Sequence, residues 1–134
     1  MASVLPVPHP DVGALRVSGR SMLPTLDVGD VVLFRRQPTQ IDPGSVVVFH
    51  DCIHRVVWVE PRAAVWELGD ANAQWPIRRA WSEIEGVVFA RIREGEWSAI
   101  SPLSRHELLR QTVKVIVRGL WSRVRVSAQK IRRR

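Results

Sequence analysis

The residues with the clearest potential for chemistry are a serine in a turn rich in glycine and proline and a histidine at the start of an apolar run. Ser21 lies in residues 18–26, which read Ser-Gly-Arg-Ser-Met-Leu-Pro-Thr-Leu. His54 is the first residue of the run 54–59, which reads His-Arg-Val-Val-Trp-Val. A serine hydroxyl becomes nucleophilic when a nearby base takes its proton, and histidine titrates close to neutral pH. A turn exposes the hydroxyl and supplies backbone N–H groups for an oxyanion. The two residues predict nucleophilic hydrolysis if the fold brings them together.

A carboxylate on the far ring nitrogen of the histidine would fix its tautomer and favour its protonated form. Asp70, which follows a glycine, is the first candidate, and Asp51 and Glu67 are weaker ones. Taken singly, each residue has a plainer structural interpretation, because serine and aspartate are common in turns and histidine is common in strands. Spacing alone does not show that these residues meet, and the catalytic interpretation depends on a resemblance carried by the whole pattern.

That set resembles the nucleophile box and the later conserved segments of type I signal peptidases, a family of serine endopeptidases. The resemblance covers about residues 14–93 and keeps the family's order. The matching segments are residues 18–26, Gly29-Asp30, His54-Arg55-Val56-Val57, Gly69-Asp70 and residues 85–92. It implies a mainly β fold of the kind shared by signal peptidases and LexA-type regulators, with the active site in a cleft.

The resemblance also implies a role for each matching residue. Ser21 matches the nucleophile, and its backbone N–H would form most of the oxyanion hole. His54 stands where most bacterial members have a lysine, as in the archaeal and endoplasmic-reticulum branch. Both lysines of this chain lie in the C-terminal tail. Arg55 and Asp70 match a salt bridge that holds the site together, so Asp70 is expected as the third catalytic member, as the partner of Arg55, or as both.

The function implied is hydrolysis of signal or leader peptides through an acyl-enzyme. Substrates would bind in extended form, with small residues such as alanine at the first and third positions before the cut. One alternative is a binding module that no longer cleaves, since Gly19 replaces a hydroxyl residue of some members and residues 71–79 contain no acid. Another is a LexA-type self-cleaving regulator, which predicts a DNA-binding domain and a lysine base, and neither is visible.

The elements that must position these residues are short strands. Apolar, β-branched runs separated by turn residues predict a mainly β body. The predicted strands cover residues 14–17, 31–34, 46–49, 54–59, 63–68 and 86–92. With 134 residues the chain has the size of one domain. We divide it into an extended lead-in over residues 1–13, a catalytic domain over residues 14–102, and a tail over residues 103–134.

The tail differs from the body in its charge and its periodicity. It holds ten basic residues and one acidic residue, whereas the rest of the chain holds ten basic and twelve acidic. A helical stripe is predicted from apolar residues three, four or seven apart, namely Leu109, Val113, Ile116, Leu120, Val124 and Ile131. This basic amphipathic helix is expected to lie on an anionic membrane, to pack its stripe on the body, or to form an arm that binds nucleic acid or an acidic partner.

Several other expectations follow from what the sequence lacks. No run of about 20 apolar residues and no secretion signal is visible, so we expect a cytoplasmic or peripherally membrane-associated protein. The single cysteine, Cys52, and the scattered histidines predict no disulfide, metal site or cofactor. The body carries no strong basic surface, so nucleic acid is not an expected partner. The expected partner is a leader or signal peptide of another protein.

Overall fold

In the part of the chain that the computed structural model describes, residues 9–72 and 74–132, eight strands form one antiparallel sheet and a helix follows them. The side chains are described as far as Trp121. The predicted mainly β fold with a C-terminal helix is confirmed. The elements are β1 (Val12–Arg16), β2 (Val31–Arg36), β3 (Val46–Phe49), β4 (Ile53–Glu60), β5 (Ala64–Leu68), β6 (Ile77–Ala80), a short 3-10 helix (Trp81–Glu83), β7 (Ile84–Arg93), β8 (Glu96–Ala99) and α1 (Arg105–Arg132).

The sheet is covered on both faces. Its strand order is β1-β2-β7-β3-β4-β5-β6, and β8 adds to β7. All four residues of the central strand β3 are buried, and because successive side chains point to opposite faces, they divide between two cores. One core contains Val46 and Val48 and packs against Met22 and Leu26 of the β1–β2 connection. The other contains Val47 and Phe49 and packs against β4 and β5.

The β4–β5 hairpin contains a bulge that decides which side chains share a face. Near the turn, Trp58 pairs with Trp66, whereas on the far side of the bulge Val56 pairs with Glu67. Val57 is the extra residue between the two registers. A shift of one residue moves every later side chain of a strand to the other face relative to its partner strand. The bulge therefore determines which side chains of β5 share a face with the first residues of β4.

The observed strands extend the predicted set. Strand β1 begins at Val12, two residues before the predicted start, and most of the proposed lead-in lies outside the described residues. Strands β6 and β8 were not predicted. Each has only four residues, and β6 contains Arg78 and Arg79 in place of an apolar alternation. An edge strand with polar side chains gives a weak sequence signal.

Helix α1 begins with a capping box and packs on the sheet through a different stripe from the predicted one. The hydroxyl of Ser104 accepts a hydrogen bond from the Glu107 N–H, and the Glu107 carboxylate accepts one from the Ser104 N–H. Leu108 and Val115 are buried. The expectation that the predicted stripe packs on the body is wrong for Leu109, Val113 and Leu120, which are exposed. Val124 and Ile131 lie outside the described side chains.

No helix among the described residues has both the length and the hydropathy needed to cross a bilayer.

Candidate active site

Ser21 is held in the connection between β1 and β2 by two buried neighbours and by a bond to another loop. Met22 and Leu26 are almost completely buried in the first core, and the Leu26 N–H donates to the Met22 carbonyl at 2.9 Å. The carbonyl of Ser21 accepts a hydrogen bond from the Ala71 N–H at 2.8 Å. The side chain itself is only partly buried. These contacts fix the backbone while leaving the hydroxyl accessible.

His54 connects this hydroxyl to a buried carboxylate. It lies on β4 and is 8% exposed. The Oγ atom of Ser21 is 2.9 Å from Nε2 of His54, and Nδ1 of His54 is in hydrogen-bond contact with Oε2 of Glu67. An ionised carboxylate only accepts, so Nδ1–H donates to Glu67 and Nε2 is left to accept the serine proton. Ser21, His54 and Glu67 therefore form a continuous hydrogen-bonded chain.

The carboxylate of Glu67 is completely buried and contacts a cation, Arg79, in addition to His54. Nε of Arg79 lies 3.4 Å from Oε1 of Glu67. The same guanidinium contacts Asp51 at 3.2 Å and Glu83 at 3.6 Å, and it lies over the ring of Phe49. A buried charge needs partners of this kind, because an unpaired carboxylate would pay the full cost of desolvation. Arg79 thus holds Glu67 in the position where it meets His54.

Asp70 forms a separate cluster with Arg55. Nε and Nη2 of Arg55 each lie 2.8 Å from one carboxylate oxygen of Asp70, which is a bidentate ion pair. Asp70 also accepts hydrogen bonds from Thr25 at 2.7 Å and from Gln111 of α1. Nη1 of Arg55 donates to the Gly44 carbonyl at 2.7 Å. These contacts account for Asp70 as the partner of Arg55, and the carboxylate in contact with His54 is that of Glu67.

The register of the β4–β5 hairpin explains this division. Glu67 is directly opposite Val56, which shares a face with His54, so His54 and Glu67 are diagonal neighbours on one face. Leu68 is opposite Arg55, and Asp70 follows it two residues later on the other face. One face of the hairpin therefore carries the His54–Glu67 pair, and the other carries the Arg55–Asp70 pair.

Beside Ser21 lies a cleft of about 530 Å³. Its walls come from the end of β1, from the β1–β2 connection and from the β3–β4 turn, and they include Leu15, Arg16, Met22 and Ile53. Within the described residues, the N–H of Ser21 donates to no protein acceptor. A backbone N–H without a protein partner beside a serine hydroxyl can donate to an oxyanion formed there. Gly19 also borders the cleft, and the space around its Cα is open.

Cys52 is a second nucleophilic side chain close to the histidine. Its Sγ atom lies 3.7 Å from Nδ1 of His54. Burial, followed by the charges of Glu67 and Asp51, raises the pKa of this thiol to about 12. Cys52, His54 and Glu67 have ligand atoms within 4.8 Å of one another, which is the one such grouping among the described residues. A protonated thiol and the cation of Arg79 both disfavour a metal ion at that position.

Sequence reasoning brought Ser21 and His54 forward, gave Glu67 little weight and missed Arg79. The available signal for Glu67 was a lone acid inside an apolar strand, Ala-Val-Trp-Glu-Leu. The alternation of side chains along a strand places Glu67 on the same face as Val65, which points into the core. A buried acid in a strand needs a cationic or hydrogen-bonding partner. On the next strand the arginine that shares a face with Glu67 is Arg79, opposite Val65, although β6 itself was not predicted.

Comparison with known proteins gives one match. A family model described as Peptidase S24-like matches residues 1–89 of the 134. The matched range includes the cleft, the serine, the histidine and the buried glutamate. This supports the wider group of serine peptidase-like folds to which signal peptidases and LexA-type regulators belong, without distinguishing between the two. None of the curated proteins matches the chain.

Proposed function

This chain belongs to the Peptidase S24-like family, and we propose that it is a serine endopeptidase in which Ser21 attacks, His54 is the general base and Glu67 orients and stabilises the histidine. The observation that carries the proposal is the chain of contacts from the Ser21 hydroxyl through both ring nitrogens of His54 to a buried carboxylate. The Ser21 end of this series of hydrogen bonds borders a cleft large enough for several residues of a peptide. Asp70 is assigned to the support of the site through Arg55.

In the proposed reaction, Oγ of Ser21 forms a bond to the carbonyl carbon of the scissile peptide while its proton passes to Nε2 of His54. The carbonyl oxygen becomes an oxyanion, which the N–H of Ser21 stabilises. His54 then gives the proton to the leaving amine, and an acyl-enzyme remains. Water attacks this ester with His54 again as base, which releases the acid and restores the serine. Glu67 stabilises the imidazolium in both halves of the reaction.

The proposed substrate is a leader or signal segment in extended form. Strand β1 is an edge of the described sheet and pairs with β2 alone, and its residues Leu15 and Arg16 line the cleft. An extended peptide can add to such an edge through backbone hydrogen bonds. The preference for small residues at the first and third positions before the cut comes from the resemblance to signal peptidases.

The test is cleavage of a panel of Ala-X-Ala leader peptides by the full chain, read by mass spectrometry. We expect cleavage after the small residue, and a loss of at least about a thousandfold in kcat/KM for Ser21→Ala and for His54→Ala. The matched controls are Ser101→Ala and His106→Ala, which change the same residue types at exposed positions outside the site. Processing that persists in Ser21→Ala would eliminate the proposal.

Two other outcomes distinguish the alternatives on the same fold. A shortened product of the protein itself, formed by the wild type and absent from Ser21→Ala, would identify a self-cleaving protein. Peptide binding without turnover, equal in the wild type and in Ser21→Ala, would identify a binding module. Intact-mass measurement after prolonged incubation and fluorescence anisotropy with labelled peptide separate these outcomes from hydrolysis of a second molecule.

A further inference from the structure

Helix α1 exposes an apolar surface that its contacts with the sheet leave uncovered. We call this the docking face, and it consists of Leu109, Val113, Val117, Leu120 and Trp121. Each of these side chains is between 42% and 64% exposed. Isolated exposed apolar residues are ordinary, but five along about three turns of one helix form a continuous surface of the kind that marks an interaction site.

The packing of α1 on the sheet fixes the direction in which the docking face points. Leu108 and Val115 are buried, and Gln111 between them donates a hydrogen bond to Asp70. These residues are three, four and seven apart, so they form a single contact stripe. At about 100° per residue, Leu109, Val113 and Leu120 are centred roughly two fifths of a turn from that stripe. The helix therefore cannot bury the docking face on its own sheet without losing its existing contacts.

Basic side chains border the docking face along its far side. Arg110, Lys114 and Arg118 are exposed, and no ion pair with an acid is found for them among the described residues. Their helical positions place them next to Val117 and on either side of Trp121. The result is an apolar strip with a cationic margin and a tryptophan at the boundary between the two.

A second apolar area lies on the face of the sheet against which α1 packs. Val57, the bulged residue of β4, lines the small crevice beneath Leu108 and also a shallow depression of about 430 Å³ bounded by Trp58, Trp66 and Pro76. Trp58 is 63% exposed. Trp66 shares a face of β5 with Leu68, and Leu68 lies beside α1 in the same crevice. The helix and these tryptophans are thus on the same side of the sheet.

We propose that α1 binds the surface of an anionic lipid bilayer, with its axis in the plane of the membrane and its docking face in the interfacial region. An amphipathic helix with lysine and arginine beside its apolar strip is suited to this position, and tryptophan favours the level of the headgroups. The charge distinguishes this occupant from a second copy of the chain. Two docking faces brought together would juxtapose their own cationic margins, whereas lipid phosphates complement them.

The test is sedimentation of the full chain with sucrose-loaded vesicles of phosphatidylcholine alone and of phosphatidylcholine with phosphatidylglycerol in a 3:1 ratio. We expect binding to the anionic vesicles that falls at least tenfold at 0.5 M salt, because salt screens the attraction. Each basic side chain near an anionic surface strengthens binding about fivefold. Replacing Arg110, Lys114 and Arg118 together by glutamine should therefore weaken it by about two orders of magnitude.

The apolar contribution is tested separately. The double substitution Leu109→Gln with Leu120→Gln should weaken binding at least tenfold, as should Trp121→Gln. Trp97→Gln, at an equally exposed tryptophan of β8, is the matched control and should bind as the wild type does. Circular dichroism and thermal melting confirm that each variant retains its fold.

Three results would overturn the proposal. The first is absence of binding to anionic vesicles, and the second is equal binding to neutral and anionic vesicles. The third is a dimer in light scattering that Leu109→Gln with Leu120→Gln dissociates, without any binding to lipid. The readout is binding and not hydrolysis, so its failure leaves the proposed peptidase activity untouched.

Discussion

Loss of charge should affect activity at Glu67 and stability at Asp70. Glu67→Gln keeps the size of the side chain and an oxygen that can accept from Nδ1 of His54, but it removes the charge that stabilises the imidazolium. Two unit charges at hydrogen-bonding distance attract by about 5 kcal/mol at an effective dielectric constant of about 20. Arg79 already offsets part of this attraction. We therefore expect kcat to fall by about 10²–10⁴, or roughly 3–5 kcal/mol.

Asp70→Asn should instead lower stability. The change leaves the buried guanidinium of Arg55 without its counter-charge, which typically costs about 3–5 kcal/mol. The assay pairs kcat on a leader peptide with urea unfolding for both variants, with activity expressed per folded molecule. Asp70→Asn should retain most of its activity on that basis, and Glu67→Gln should unfold close to the wild type. An inactive, fully stable Asp70→Asn beside an active Glu67→Gln would refute the assignment of the two acids.

Three further predictions concern charged and nucleophilic side chains. Arg79→Gln should lower kcat by about tenfold, or about 1.4 kcal/mol, because it removes the cation that holds Glu67 beside His54; an unchanged kcat in a variant that retains its fold by circular dichroism would argue against the contact. Because the pKa of Cys52 is raised to about 12, iodoacetamide at pH 8.5 should label the folded protein at least tenfold more slowly than the urea-unfolded chain, and equal rates would contradict the burial of the thiol. The hydrogen bond from Arg93 lowers the pKa of Asp30, so its stabilisation is present above the unfolded pKa of about 3.9 and is lost as the pH falls through the folded value. Urea unfolding should accordingly find Asp30→Asn less stable than the wild type at pH 7, with the difference closing below about pH 4.

The sequence was sufficient for the parts of the molecule that local pattern decides. The turn around Ser21 is marked by glycine and proline, and the buried strands β2 and β3 are marked by β-branched runs between turn residues. The helical period of the tail also predicted α1. It did not reveal which stripe would be buried, because Leu108 and Leu109 are equally apolar and only contact with Asp70 and its neighbours selects between them.

The sequence marks Glu67 as an acid in a buried strand, but it does not show that this acid meets the histidine, because that contact depends on a single inserted residue. A regular hairpin with the pairing seen at Glu60 and Ala64 would place Asp70 directly opposite His54. The bulge at Val57 moves the register by one, and this brings Glu67 to the face of His54 instead. No residue type near Val57 marks the bulge, since valine is common in regular strands.

The bulge also explains how one short hairpin serves both chemistry and support. His54 and Arg55 are adjacent and must point to opposite faces, so each needs its own acid on the matching face of β5. Glu67 and Asp70 are an odd number of residues apart and meet that need in the observed register. Because Asp70 also accepts from Gln111, the supporting face is the one on which α1 rests. The helix that we propose docks on a membrane is thereby attached to the strand pair that holds the histidine, through contacts on the face opposite to the proposed catalytic one.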